Sequence, residues 1–456
     1  MKKWIWICCI AAVFSCKNKP NATENSTVEK LPNIVLLIGD DQGYPYFGFM
    51  GADYVYTPNM DALAESGTVF TNGYVPENHC RPSLQTLMTG TLPIDYENEV
   101  LRLLATEKNK NMPEAEGEKW ERNFRFHAMK YFETLPKFLA KKGVISFQGG
   151  KWWEFNYENG GFSEGMTTGW TKEDEKDEGW FQKFMGGEGT ELARATMQPV
   201  YDFIDTNVDR PFFIWYAPEL PHYPFDAPDT YYNLYKDKNM TESAKRYYAN
   251  CTWFDDGVGE LMAYLKQKGM YNNTLFVYVN DNGWEQNPDQ EFRQDSLRWH
   301  NGGDKGKLAL YDQSFRTPII FSWKDKIPAG DVKKDLIHSA DITATLLDYM
   351  GIAIPEAVFG KSYKKVIEEG TPGPRTELIG NVTQIRWEGD MMGKNVEGYW
   401  LRTKDWFFNW NRTTQTQELY DMEKDPFNNH NVAAKHPDLV NTYMKKIEVW
   451  KTQKGR

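Results

Sequence analysis

From Leu31 onward, short continuous apolar runs punctuate the chain, and stretches with helical spacing separate them. Residues 33–38 (NIVLLI), 144–148, 212–216, 274–279 and 318–321 have the length and apolar content of strands buried on both faces. Between them, residues 61–66, 83–88, 133–142, 255–268 and 339–349 read as helices. Strands that alternate with helices predict right-handed crossovers, and hence an α/β fold whose mainly parallel sheet is flanked by helices. This domain is expected over residues 31–365, with the densely charged residues 97–125 as an insertion. Past residue 365 the pattern changes. Residues 399–408 (YWLRTKDWFF) and 417–420 read as short strands and residues 439–451 as a helix, which predicts a smaller C-terminal α+β subdomain over 366–456.

The first sixteen residues stand apart from this pattern. Lys2 and Lys3 precede an apolar run over residues 4–14 that is too short for a membrane span and reads as a secretory signal. It ends Val13-Phe14-Ser15-Cys16, which resembles a bacterial lipobox. That resemblance implies cleavage before Cys16, lipidation of Cys16, and a lipid anchor in the bacterial cell envelope, at the outer membrane or the periplasmic face. Ordinary secretion with Cys16 as a bystander is the alternative. Residues 17–30 are polar and turn-rich, as a flexible tether is. Of the five cysteines, Cys8 and Cys9 fall in the signal and Cys16 would be lipidated, so only Cys80 and Cys251 remain in an oxidising compartment, where they either pair or stay free.

Composition narrows the function classes. With 40% hydrophobic and 15% aromatic residues, the 456-residue chain is neither disordered nor a coiled coil. Its formal charge of −11 argues against a nucleic-acid partner, so an anionic ligand has to be held by local positive groups.

Candidate chemistry gathers at the strand ends. Asp40, Asp41, Lys151, His222, Asp281 and Asn282 each closely follow an expected strand, and ligands of open α/β sheets bind beyond the carboxyl ends of the strands. Asp40, Asp41, Asp281 and Asn282 offer only oxygen donors, a set suited to a hard divalent cation and to Ca²⁺ before Zn²⁺. Lys151, His222 and Lys307 add positive or proton-donating groups around an anion. Together they describe metal-assisted cleavage of a sulfate or phosphate ester.

These residues also carry a resemblance. Residues 33–44 (NIVLLIGDDQGY), 80–90 (CRPSLQTLMTG), 149–152 (GGKW), 221–222 (PH), 258–283 and 307–318 (KLALYDQSFRTP) resemble, in order and spacing, the type I sulfatases of the alkaline phosphatase superfamily. The resemblance implies an alkaline-phosphatase-like fold and a sulfuric ester hydrolase. It implies that a formylglycine-generating enzyme converts Cys80 to formylglycine (3-oxoalanine), whose hydrate is the nucleophile. It further implies one Ca²⁺ held by Asp40, Asp41, residue 80, Asp281 and Asn282, with Lys151 and Lys307 on the sulfate and His222 protonating the leaving oxygen. Lys305 is the alternative to Lys307. By analogy with lipoprotein sulfatases, the expected substrate is a sulfated carbohydrate such as ulvan or carrageenan. Trp152, Trp153, Tyr157, Trp170, Tyr223 and Trp284 adjoin the motifs as candidates for a sugar-facing rim, with core packing as the alternative.

Two positions depart from the family pattern. Leu84 stands where the pattern has an Arg four residues after the Cys, and Trp153 where it has a His two residues after the Lys. Glu154, Glu164, His79 and His300 are candidates to replace that His. The departures keep two other readings open, a catalytically inactive glycan-binding lipoprotein and a metal-dependent phosphoesterase of the same superfamily.

Overall fold

All seven residues of β1 (Asn33–Gly39) are buried, because this strand lies inside an eight-stranded sheet covered on both faces. The computed structural model describes residue 1 and residues 30–107, 113–176, 179–284, 305–307, 309–382 and 398–455. The signal run, Cys16, the tether and His300 lie outside the described residues. The chain divides into two units, Met1–Lys30 and Leu31–Arg456, and everything below belongs to the second. Among the described residues no helix is long and apolar enough to cross a membrane.

The sheet order is β4-β3-β5-β1-β6-β7-β2-β8, built from β2 (Thr68–Tyr74), β3 (Ile145–Gly150), β4 (Glu164–Gly165), β5 (Phe212–Ala217), β6 (Thr274–Asn280), β7 (Arg316–Ser322) and β8 (Asp331–His338). Its strands run parallel except β7, which is antiparallel to both β6 and β2. The chain leaving β6 reaches β7 without a crossover helix among the described residues, so the next strand starts at the same end of the sheet and runs back. Alternate side chains of β1 serve two cores. Ile34, Leu36 and Ile38 pack with Leu84, Leu87 and Met88 of helix Cys80–Thr89 and with Ile342 and Leu346 of helix Ser339–Tyr349. Val35 and Leu37 face Val200, Phe203 and Ile204 of helix Gln198–Thr206 and Phe254, Val258 and Leu261 of helix Glu242–Gln267. Each such side chain contributes roughly 1.5–3 kcal/mol through burial.

Several elements differ from the sequence expectation. The helix expected at 255–268 starts at Glu242, because Thr241 caps it by accepting the Ala244 amide at 3.2 Å. The described part of residues 97–125 falls in two helices, Pro93–Glu107 and Glu114–Phe126, and the first buries Tyr96, Val100 and Leu104. Strands β2 (TVFTNGY) and β8 (DVKKDLIH) escaped notice because polar residues interrupt their apolar runs.

The C-terminal region is a four-stranded antiparallel sheet, β9 (Glu377–Val382), β10 (Gly398–Thr403), β11 (Trp406–Asn411) and β12 (Thr416–Asp421), with helix Pro437–Gln453 on one face. Its other face places Trp400 and Phe407 against Tyr74 of β2 and Phe315, which immediately precedes β7. A buried polar knot joins the two sheets. The Tyr74 hydroxyl donates to Asp312 Oδ1 at 2.7 Å, and Arg402 Nε donates to the same hydroxyl oxygen at 2.6 Å while lying 3.4 Å from Asp312. Replacing Arg402 by Met leaves Asp312 buried with only Arg316, at 3.7 Å, for charge balance. Urea unfolding of Arg402→Met should therefore show a loss of about 3–5 kcal/mol, and an unchanged midpoint would mean that apolar packing alone holds the sheets together.

Candidate active site

Four neighbouring strands, β3-β5-β1-β6, end side by side, and each is followed by polar residues. Asp40 and Asp41 follow β1, Lys151 follows β3, His222 lies beyond β5, and Asp281 and Asn282 follow β6. At Gly150, with φ +95°, a Cβ would stand 2.0 Å from the Ala217 carbonyl oxygen. Only glycine permits that approach of β3 to β5, and with it the Lys151 amide donates to Ala217 O at 2.6 Å. Asp41 adopts a left-handed φ of +65°, which Asp tolerates, and its amide donates to Asp281 Oδ1 at 3.1 Å.

Cys80 opens helix Cys80–Thr89, so its side chain meets this cluster at the positive end of a helix dipole. Its Sγ lies 3.9 Å from Asp40 Oδ1, 4.0 Å from Asp41 Oδ1 and 3.2 Å from Lys151 Nζ. Lys151 Nζ also donates to both Asp40 oxygens, at 2.6 and 2.7 Å, and lies 4.0 Å from Asp281 Oδ2. Lys307 Nζ donates to Asp41 Oδ2 at 2.7 Å. His222 Nε2 stands 3.6 Å from the same oxygen, and its Nδ1 stands 3.6 Å from Glu219. Asp40, Asp41, Cys80 and Asp281 offer ligand atoms within 4.8 Å of one another, all buried, a group able to hold a metal ion.

Burial sets the electrostatics. It pushes the Cys80 thiol well above its ordinary range, helped by Asp281, so an unmodified Cys80 is a poor nucleophile. It lifts Asp40 to about 6 against the pull of Lys151 and His222, and raises Asp281 against Lys151. At Asp41 burial is outweighed by Lys307, His222 and Lys151, which hold the carboxyl well below its usual range. Lys151 is raised in spite of burial, through Asp40, Cys80 and Asp281. His222 is lowered to about 4 by burial and Lys151, against Asp40 and Asp41, so its imidazole is neutral at pH 7.

A sulfatase family profile matches residues 32–352, and a profile for the N-sulphoglucosamine sulphohydrolase C-terminal region matches residues 302–453. The chain belongs to the sulfatase family. It is a sulfuric ester hydrolase of the alkaline-phosphatase-like fold. An arylsulfatase of Clostridium perfringens is 26% identical over 87% of this chain and 89% of its own length. An ulvan-active sulfatase of Formosa agariphila is 22% identical over 93% of this chain and 80% of its own length. The crystal structure of Ps i-CgsB in complex with k-i-k-neocarrahexaose superposes with a TM-score of 0.69 at 22% identity, covering 92% of this chain and 93% of that one.

The sulfatase separates its two candidate lysines. Lys305 Nζ donates to the carbonyls of Phe427 and Asn428 at 3.0 and 2.9 Å and to Asn429 Oδ1 at 2.7 Å, so it fastens a C-terminal loop while Lys307 faces Asp41. Cys80 and Cys251 are both free. Leu84 is buried in the apolar core, and Arg81 is turned away from the cluster toward Glu154, at 2.8 and 2.9 Å. Glu154 is occupied further by Gln85 at 2.9 Å, which makes it the counter-ion of a buried guanidinium and not a base near Cys80. Glu164 is exposed on β4. His79 precedes Cys80, and burial pushes it down to about 3, with Lys307 and Lys151 adding to the shift. Trp152 belongs to the core.

The supports of His222 were not visible in sequence. Arg194 donates to Glu219 O at 2.8 Å and His222 O at 2.9 Å, and Asn250 donates to Pro224 O at 3.0 Å. The Tyr247 hydroxyl donates to Asp41 O at 2.9 Å. Arg194, Asn250 and Tyr247 come from distant segments with no motif of their own; only the fold brings them in.

If Glu154 is the partner of Arg81, Glu154→Ala strands a buried cation and should cost about 3–5 kcal/mol in urea unfolding. A stable Glu154→Ala protein that has lost turnover would instead return Glu154 to the chemistry.

Proposed function

We propose that this sulfatase desulfates a sulfated polysaccharide of the ulvan or carrageenan kind, or its oligosaccharides, through a formylglycine formed from Cys80 and with one Ca²⁺. The carrying observation is the convergence of a buried Cys80 with three carboxylates and two lysines at the strand ends. The substrate class is supported by the ulvan-active relative and by the carbohydrate bound to the similar solved structure. We read Cys16 as lipidated in the cell envelope, and a formylglycine-generating enzyme as the maturation partner.

The residues fit a hard cation. Asp281 Oδ2 and Asn282 Oδ1 are buried and accept no hydrogen bond among the described residues, an unfavourable state that a cation relieves. Asp40, Asp41, residue 80, Asp281 and Asn282 would hold Ca²⁺. Bound there, it supplies positive charge that acidifies a hydroxyl and draws in sulfate oxygens.

The residues of the chain divide the remaining work. One hydroxyl of the hydrated aldehyde on residue 80 attacks sulfur, and the bond from sulfur to the substrate alcohol breaks. His222 delivers a proton to the departing oxygen; the charge of a bound sulfate opposes the burial that otherwise keeps this imidazole neutral. The second hydroxyl then gives its proton to water, the carbon–oxygen bond to sulfate breaks, and the aldehyde returns as sulfate leaves. Lys151, beside the residue 80 side chain, and Lys307, beside Asp41, hold the sulfate oxygens throughout. A plain serine in place of the aldehyde would retain a stable sulfate ester.

The deciding experiment is mass spectrometry of the Cys80 peptide after co-expression with a formylglycine-generating enzyme, together with sulfate release by Cys80→Ala. An aldehyde in the native chain and background release by a folded Cys80→Ala protein are expected. A thiol at residue 80, or retained turnover in Cys80→Ala, overturns the reading.

His222 separates substrates by leaving group. A sugar alkoxide needs a proton far more than a nitrophenolate does, so His222→Ala should slow a sugar sulfate by about 10² to 10⁴ and nitrophenyl sulfate much less. Equal losses in kcat on both would assign His222 to sulfate binding.

A further inference from the structure

Trp153 has contacts that the proposed chemistry leaves unexplained. Its side chain is 8% exposed, and its indole Nε1 has no acceptor among the described residues. Its ring lies 5.5 Å from Lys151 Nζ, the ammonium that sits 3.2 Å from Cys80 Sγ. A buried donor without an acceptor costs on the order of 1–3 kcal/mol, and it calls for an explanation such as a ligand that supplies the acceptor.

Trp153 also begins an apolar strip. It meets Phe184 edge to face at 4.9 Å and Phe181 at 6.2 Å. Both phenylalanines lie on helix Trp180–Met185, which is fixed to the strand end that carries Lys151. The Trp152 amide donates to Met185 O at 2.8 Å, and at Gly189 a Cβ would stand 2.2 Å from Gly150 O, so the two segments are in contact. Exposure rises along this line, from 1% at Lys151 through 8% at Trp153 to 36% at Phe181. Trp153 and Phe184 pack in the core beside the anion-holding cluster, and Phe181 carries this aromatic line to solvent.

We propose that Trp153 and Phe181 form the subsite for the pyranose ring that bears the sulfate ester, an inference that rests on the sulfatase reading of the neighbouring cluster. The ring lays its C–H face on Phe181 while Lys151 and Lys307 hold the sulfate. The Trp153 indole N–H donates to a sugar hydroxyl or ether oxygen, which satisfies the buried donor. The tryptophan at this position thus serves recognition of the alcohol half of the substrate, where the family pattern has an imidazole.

The test is equilibrium binding by tryptophan fluorescence, with inorganic sulfate, k-i-k-neocarrahexaose and a sulfated ulvan oligosaccharide as probes. The sugar that binds the native chain more tightly is carried into the variants. Phe181→Ala should weaken that sugar by about threefold to tenfold, the value of one lost stacking partner, and leave inorganic sulfate unchanged. Phe181→Tyr should restore the sugar affinity. Equal sugar binding by Phe181→Ala and the native chain, parallel weakening of inorganic sulfate, or binding of sulfate with neither sugar would each overturn the subsite. Absence of inorganic sulfate binding by the native chain would count against the sulfatase reading beneath it instead.

Discussion

Three carboxylates and two ammonium groups, all nearly cut off from water, share the carboxyl end of one sheet, and neither set is stable there without the other. Burying an unpaired charge costs several kcal/mol, so Lys151 must meet Asp40, and Lys307 must meet Asp41. The count still leaves one negative charge in excess, and the strain falls on Asp40 and Asp281, the two carboxyls that burial lifts. A divalent cation turns that excess into a single positive charge. That is the complement of a sulfate monoester, which carries one negative charge at any pH near neutrality. The cluster is thus poorly balanced when empty and balanced when it holds both metal and substrate.

Much of this was legible in the chain. Continuous apolar runs marked β1, β3, β5, β6 and β7 because strands buried on both faces are mostly apolar, and the residues after four of them converge in one cluster. What the runs could not show was direction: β7 runs antiparallel to both of its neighbours, a property of path and not of composition. Strands β2 and β8 lie at and next to the sheet edge, where Thr, Asn and Lys side chains are tolerated, and their pattern was too mixed to read. The choice between Lys305 and Lys307 needed coordinates, since both stand in one short stretch and only their partners distinguish them.

The residues that depart from the family pattern also needed the fold. Arg81 and Glu154 are far apart in sequence, and no spacing rule predicts that they pair beside Cys80. Leu84 in the core is a plain consequence: with no guanidinium to place, the first turn of that helix seals with an apolar side chain.

The Lys305 clamp has a temporal side. The loop around Phe427 to Asn429 is made 122 to 124 residues after Lys305, yet it holds the segment that delivers Lys307 to Asp41. During synthesis the large sheet can form from residues already made, while the Lys307 side of the cluster waits for this loop. A chain halted before that loop is made would carry the strands of the large sheet and its Cys80 helix but lack the clamp beside Lys307.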